Sequence, residues 1–516
     1  MHPSVHAAAN PDKPAIIMGT SGEVITYAQL DRRSNQMAQL VRSKGIAVGQ
    51  TIAVCMENHP WYFGVTWGAQ RAGLHYVCIS SRLTAPEIAY ILEDSGAKLL
   101  IGSAYLAPVL DEVAKLTPGI EQLRFDTPGA ISAEAALAAQ PETSIADERA
   151  GVDMLYSSGT TGKPKGVKIP LPEDPDIAQM NALVGLANMA FGIQPGAVYL
   201  SPAPLYHAAP LRWCMTVHKL GGTVVVMERF EPEAALQMIE KYKVTDSQWV
   251  PTHFVRMLKL PEEVRTRYDV SSLKCAIHAA APCPVPVKHA MIEWWGPVLY
   301  EYYAGTEGNG FTFITSQEWL ERPGSVGRAL TGTVRVCDEN GDEVPRGTEG
   351  QIFFEPAEDT VPFEYHNDPA KTAESRNKHG WTSLGDVGIE DEDGYVFLTD
   401  RKSFMIISGG VNIYPQEIEN LLVLHPKVAD AAVIGAPDAE MGERVVAVVQ
   451  PLNMDDAGPA LAEELTAYLA PQLSRVKMPR QIDFREQLPR ELTGKLYKRL
   501  LRDEYKAAHE AAQAQG

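Results

Sequence analysis

The chain has 516 residues, room for one large domain and a smaller one or for about three domains of roughly 150 residues. Its 45% hydrophobic and 22% charged residues are ordinary for a globular protein and exclude general disorder. Against 46 basic residues stand 65 acidic ones, a net charge of −19 that argues against non-specific nucleic-acid binding but leaves room for a local basic pocket for phosphates.

In chain order, Thr51–Met56 reads as a short buried strand and Pro60–Gly73 as the helix after it. Leu99–Gly102 and Gly222–Met227 are further buried strands, beside helical stretches at Glu87–Ser95 and Pro232–Tyr242. This alternation predicts α/β layers with largely parallel sheets. From Gly332 to Phe354 the strands come without long helices, and Val334–Val336 and Gln351–Phe354 flank the turn Asp338–Gly341, so an antiparallel β subregion is expected. A boundary is expected near residues 400–404, giving a domain over 1–400 and a second over 401–516. Beyond it, Pro415 stands where a first helical residue would, and Ile418, Leu421 and Leu422 follow at helical spacing. Ala431–Gly435 and Val445–Val449 read as strands, and Leu461, Leu465, Tyr468 and Leu469 as one face of a helix. The last stretch, from Glu504, reads as a fraying helix end.

No apolar run reaches the roughly 18 residues of a transmembrane helix, and Met1–Ser4 shows no basic-then-apolar leader pattern. Cys55, Cys78, Cys214, Cys275, Cys283 and Cys337 are scattered without a CxxC pair, so buried, reduced thiols in a cytoplasmic enzyme are expected.

Tyr156–Val167 packs four hydroxyls, three glycines and two lysines into ten residues, Ser157 to Gly166. Glycines let backbone N–H groups approach an anion, and hydroxyl and ammonium groups add donors, which suits a polyphosphate. A flexible surface turn is the alternative. The segment is not a Walker A loop, because two residues, not four, separate Gly159 from Gly162 and Pro164 follows Lys163. In Tyr300–Gly308, Glu307 beside Thr306 offers hard oxygen ligands for Mg²⁺, and Tyr303 offers a ring for a base; alone, a turn at a sheet end is the better reading. Asp386, with Asp400–Arg401 downstream, could accept from ribose hydroxyls or simply make a turn. Lys495, after Gly494, would by itself be a solvated side chain.

Together these motifs resemble the adenylate-forming superfamily of acyl-CoA synthetases, firefly luciferase and nonribosomal peptide synthetase adenylation domains. The resemblance runs from Ile25–Leu30 to Lys495. It is carried by Ser157–Gly166, Tyr206–Pro210, Tyr302–Gly308, Asp386, Thr399–Glu419 and Leu492–Lys495 in order, and is nearest to bacterial fatty-acid-type CoA ligases. It implies a large N-terminal domain of layered α/β sheets with a small β subdomain, a small mobile α+β C-terminal domain, and an active site between them.

The implied reaction joins a carboxylic acid to ATP, giving acyl-AMP and pyrophosphate, and then to coenzyme A, expelling AMP. By the same resemblance, Ser157, Ser158, Gly159, Thr160, Thr161, Gly162, Lys163 and Lys165 would form the phosphate loop. Thr306 would contact the α-phosphate, Glu307 would hold Mg²⁺, and Tyr303 would stack on adenine beside Ala279, Ala280 and Ala281. Asp386 and Arg401 would hold the ribose, and Lys495 would bridge the carboxylate and α-phosphate oxygens. His207 would stand by the reacting carboxylate, and Gly409 and Gly410 beside the pantetheine tunnel. A homodimer is a further expectation from the resemblance.

The sequence departs from the family pattern at three places. Ser403 takes the hinge position where Asp or Lys is usual; Ala304 takes a common glycine position; and residues 168–176 form a Pro- and acid-rich loop, read as a surface loop rather than a substrate entrance. Pro204–Pro210 has no acid to pair with an α-ammonium, so an amino-acid substrate is not expected. A non-catalytic binder would have lost Thr306, Glu307 or Lys495. His207, Trp213, Trp249, Pro251 and Thr252 suit an apolar acyl group: a medium- or long-chain fatty acid first, a cinnamate- or ferulate-type or steroid side-chain acid second.

Overall fold

A computed structural model describes residues 1–157, 164–357, 363–438, 440–490 and 496–513. The large N-terminal domain is built on two sheets. One is six-stranded, in the order Glu121–Phe125, Ala97–Ser103, Thr51–Cys55, His75–Cys78, Val152–Ser157, Lys165–Lys168, with only the last strand antiparallel. The other is 13-stranded. Its centre is parallel: Pro14–Met18, Thr223–Val226, Val198–Ser201, Asp246–Trp249, Cys275–His278 and Leu299–Ala304. From Phe311–Ile314 onward it continues antiparallel to Thr333–Cys337 and Gly350–Glu355, the expected β subregion.

Period two explains why parallel strands this apolar are stable. Ile52 and Val54 point into the core between the two sheets, whereas Ala53 and Cys55 point to the outer helices. Val224 and Val226 likewise face the shared core, and Val225 and Met227 the far side. Both faces are covered, so neither needs polar residues. The helices fall close to expectation: Tyr62–Arg71, Ala85–Ser95 and Pro232–Tyr242.

The smaller C-terminal domain is α+β. Val428–Asp438 and Gly442–Pro451 pair antiparallel, Gln481–Phe484 adds in parallel, and the hairpin Ile406–Ser408/Val411–Ile413 closes one edge. Helix Pro415–Leu422 starts at its proline, as read from sequence, and Pro459–Leu469 and Lys498–Gln513 complete the layer. The turn Lys402–Phe404 joins the last strand of the large sheet to the first of the small one. The two domains touch. Lys259 Nζ donates to Val423 O at 3.0 Å and also to Val428 O, Tyr414 Oη donates to Glu349 Oε1 at 2.6 Å, and the Gln416 amide to Asp400 Oδ2 at 3.0 Å. Among the described residues, no helix is long and apolar enough to cross a membrane.

Candidate active site

A cleft of about 2690 Å³ runs between the two domains and into the large one. Lys165, His207, Ala279, Ala280, Ala281, Tyr303, Thr306, Glu307, Asp386 and Arg401 all line it, although up to 236 positions separate them in sequence (401 less 165).

The strand Leu299–Ala304 organises the site. Alternation sends Tyr302 into the core between the sheets and Tyr303 to the other face, its ring 6.0 Å from that of Phe354. Tyr303 Oη donates to Asp386 Oδ2 at 2.7 Å, and Arg401 Nε donates to Asp386 Oδ1 at 2.9 Å. Asp386 opens one strand and Arg401 ends its antiparallel neighbour, in direct register. The Asp386 charge holds the Arg401 guanidinium above its ordinary value; burial, then the same carboxylate, pushes the Tyr303 phenol well up. A carboxylate has about four acceptor sites, so two remain for another partner.

Ala304 needs no glycine conformation: it ends the strand, paired with Phe311, where extended backbone accepts any side chain. Gly305 is different. An added Cβ would lie 2.7 Å from Glu307 Oε2 and 2.8 Å from Leu384 Cδ1. Glu307 is held by Tyr365, whose Oη donates to Glu307 Oε1 at 2.9 Å. Lys165 Nζ stands 5.2 Å from the centre of the Tyr365 ring. Burial lowers the Lys165 ammonium below its ordinary value, helped by Lys371 and opposed by Glu307, Asp368 and Glu374. An anion in the cleft would relieve that penalty.

Of the predicted phosphate loop, the stems are described. Val152–Ser157 and Lys165–Lys168 pair antiparallel with Ser157 opposite Lys165. Ser158, Gly159, Thr160, Thr161, Gly162 and Lys163 lie outside the described residues, as does Lys495. Ala279–Ala281 follow the strand Cys275–His278, and Ala280 has φ +76°, a left-handed conformation that favours glycine. His207 stands at the N-cap position of the helix Ala208–Lys219, its ring 4.4 Å from that of Tyr206. Pro251, Thr252, Trp213 and Trp249 all line the cleft, the two tryptophans at only 2% and 1% exposure.

Gly409 and Gly410 are not among the residues lining the cleft. They form the exposed turn of the small-domain hairpin with φ +57° and +79°, where a side chain at 409 would collide with Met441. Ser403 is exposed, and its carbonyl accepts from Arg502 Nη1 at 3.0 Å. The 168–176 loop is tied to the body through Pro172 O and Pro175 O, and Ile169 reaches the cleft. Tyr365 escaped sequence reading because nothing in Tyr365–His366–Asn367 signals a partner; only the bridge between Tyr365 and Val167 brings it to Lys165 and Glu307.

Residues 4–357 match the AMP-binding enzyme family, and residues 417–495 match the AMP-binding enzyme C-terminal domain. A long-chain-fatty-acid–CoA ligase of Mycobacterium tuberculosis is 32% identical, covering 97% of each chain. A feruloyl-CoA synthase of an Amycolatopsis species is 33% identical over 96% of each. The ATP-bound structure of MatB from Rhodopseudomonas palustris superposes with a TM-score of 0.79 at 28% identity, covering 98% of this chain and 99% of that one. The motifs, their convergence on one cleft and these chain-long likenesses agree: the chain belongs to the AMP-binding enzyme family, within the adenylate-forming superfamily.

Proposed function

We propose that the cleft makes acyl-CoA from a free carboxylic acid, ATP and coenzyme A, with AMP and pyrophosphate as products. The observation that carries the reading is the convergence of Lys165, Ala279–Ala281, Tyr303, Thr306, Glu307, Asp386 and Arg401 on one cleft that also opens onto an apolar wall.

A carboxylate is a poor electrophile and a polyphosphate resists an anionic nucleophile, so catalysis is mainly charge neutralisation and positioning. The adenine would lie between Tyr303 and Ala279–Ala281, with the ribose hydroxyls on the free acceptor sites of Asp386. Lys165 and the loop before it would take the β- and γ-phosphates, and Thr306 would donate to the α-phosphate. Lys495 would hold the substrate carboxylate against the α-phosphorus, with His207 beside it. The carboxylate oxygen attacks phosphorus and pyrophosphate leaves; the CoA thiol then attacks the acyl carbonyl and AMP leaves.

Glu307 fits a hard cation, because its Oε2 has no protein donor among the described residues. Mg²⁺ bound there would offset phosphate charge. For the thiol step, the small domain, taken as residues 401–516, would rotate about Lys402–Phe404 and carry Gly409–Gly410 to the cleft. The six cysteines are free thiols, which fits a cytoplasmic setting. The apolar wall supports a fatty acid or, alternatively, an aryl-propenoic or steroid side-chain acid.

The test is pyrophosphate release across fatty, aryl-propenoic and bile acids, with and without CoA. Release that depends on the acid, with CoA consumed as AMP appears, is expected. Release indifferent to CoA would mean another acceptor, and no release with any acid would refute the reading.

A further inference from the structure

The cleft wall beside His207, where the acyl group is proposed to lie, is not uniformly apolar. Helix Ala208–Lys219 carries Arg212 five residues past His207, about 7.5 Å farther along the axis. Arg212 Nη2 donates to Asp153 Oδ2 at 2.7 Å and Nε to both carboxylate oxygens at 3.1 and 3.3 Å, whereas Nη1 has no protein partner among the described residues. The Arg212 side chain keeps 25% of its surface accessible deep inside the domain because it lines the cleft.

Two strands of the large sheet, with Cys275–His278 between them, add to this. Gln248 Nε2 donates to Tyr302 Oη at 3.1 Å, and Trp213 Nε1 donates to the same oxygen at 3.4 Å. With two donors on its oxygen, the Tyr302 hydroxyl still has its proton to give. Burial raises this phenol above its ordinary range, so it stays protonated. Gln248 is 7% exposed, and its Oε1 is buried without a partner among the described residues. Turning the amide over lets Tyr302 donate to Oε1 but orphans Nε2 instead, so one amide atom is unmatched either way.

An unsubstituted alkyl chain packed here would seal Arg212 Nη1 and the Tyr302 hydroxyl from water with nothing to bond, a loss of about tenfold or more in affinity for each orphaned group. A substrate oxygen would satisfy them. Resting on the acid–CoA ligase reading, we propose that the preferred acid carries a hydroxyl or keto oxygen, a short acyl span from its carboxylate, that seats against the Arg212–Tyr302–Gln248 cluster. A keto or a hydroxyl oxygen accepts from both Arg212 and Tyr302.

The test is kcat/KM for CoA-thioester formation on matched acids: cinnamate against 4-hydroxycinnamate, and octanoate against its hydroxy and oxo derivatives with the oxygen at graded positions. At least one oxygenated acid should exceed its parent by about tenfold or more, because a site built to hydrogen-bond rejects the analogue that lacks the group. The better of the hydroxy and oxo members identifies the oxygen. Tyr302→Phe and Gln248→Met should each lower the kcat/KM ratio of that acid to its parent by about tenfold. Thioester formation with every pair ratio near one overturns the proposal and leaves the ligase reading standing. A preference that survives in both variants overturns the assignment to this cluster. No pyrophosphate with any acid overturns the ligase reading and this proposal with it. Should both variants fail to fold, the wild-type ratios alone decide.

Discussion

Replacing Asp386 by asparagine removes one negative charge from the centre of a three-residue cradle and changes almost nothing in shape. The carboxylate accepts from Tyr303 at 2.7 Å and from Arg401 at 2.9 Å. Asparagine has one acceptor oxygen and one donor group, so only one of these bonds survives with its present polarity. The bond lost involves a charged partner, for which about 1.5–3 kcal/mol is typical. Arg401 is 35% exposed on its side chain against 8% for Asp386, so solvent screens part of that, leaving about 1–2 kcal/mol. If the cradle holds ribose, the loss falls on nucleotide binding, a rise of about 5–30-fold in KM for ATP. The assay is ATP–pyrophosphate exchange with ATP, 2′-deoxy-ATP and 3′-deoxy-ATP, on wild type and variant. The wild type should discriminate against one deoxy analogue, and the variant should lose most of that discrimination, the coupling expected of groups in contact. A variant whose KM for ATP stays within about twofold of wild type, with discrimination intact, would refute the ribose assignment.

Lys495→Ala should lower acyl-AMP formation by about a hundredfold or more, as for loss of a charge-stabilising donor, while supplied acyl-AMP and CoA still react; equal loss in both halves would contradict the role. Ala280→Gly should relieve the left-handed backbone at φ +76°. After the entropy that glycine costs, the gain is up to about 1 kcal/mol, read as a raised urea midpoint, and a lowered midpoint would contradict the strain. Burial against the small domain lowers Lys259 from 10.5 to about 8, with Asp430 opposing. With the small domain swung away the amine would regain its ordinary value, so the present arrangement binds fewer protons and gains as pH rises through about 8 toward 10.5. Single-turnover adenylation should therefore gain on the thiol step between about pH 8 and 10.5, and Lys259→Met should abolish the trend; an unchanged trend in the variant would exclude Lys259 as its source.

Strand and helix positions were legible in the sequence because they depend on short-range periodicity. A run such as Thr223–Val226 suits a parallel strand covered on both faces, and a proline such as Pro415 enters a helix only in its first turn. The chemistry of the nucleotide side was legible for a related reason: Tyr303, Thr306 and Glu307 sit together on one strand end, and their types and spacing carry the resemblance whatever the surroundings. What packs against a motif is set by residues remote in sequence. Tyr365 reaches Glu307 from 58 positions away, and Gln248 reaches Tyr302 from 54. Neither has a local pattern to betray it. Trp213 and Trp249 read as an apolar acyl pocket and both line the cleft, though each is almost wholly buried; beside them stand Arg212, Gln248 and Tyr302, polar groups that no local pattern announces. The sequence by itself thus determined the layers, the order of the motifs and the family. Only the tertiary structure decided which distant side chains complete the site, because hydrogen bonds between buried groups form across the fold rather than along the chain.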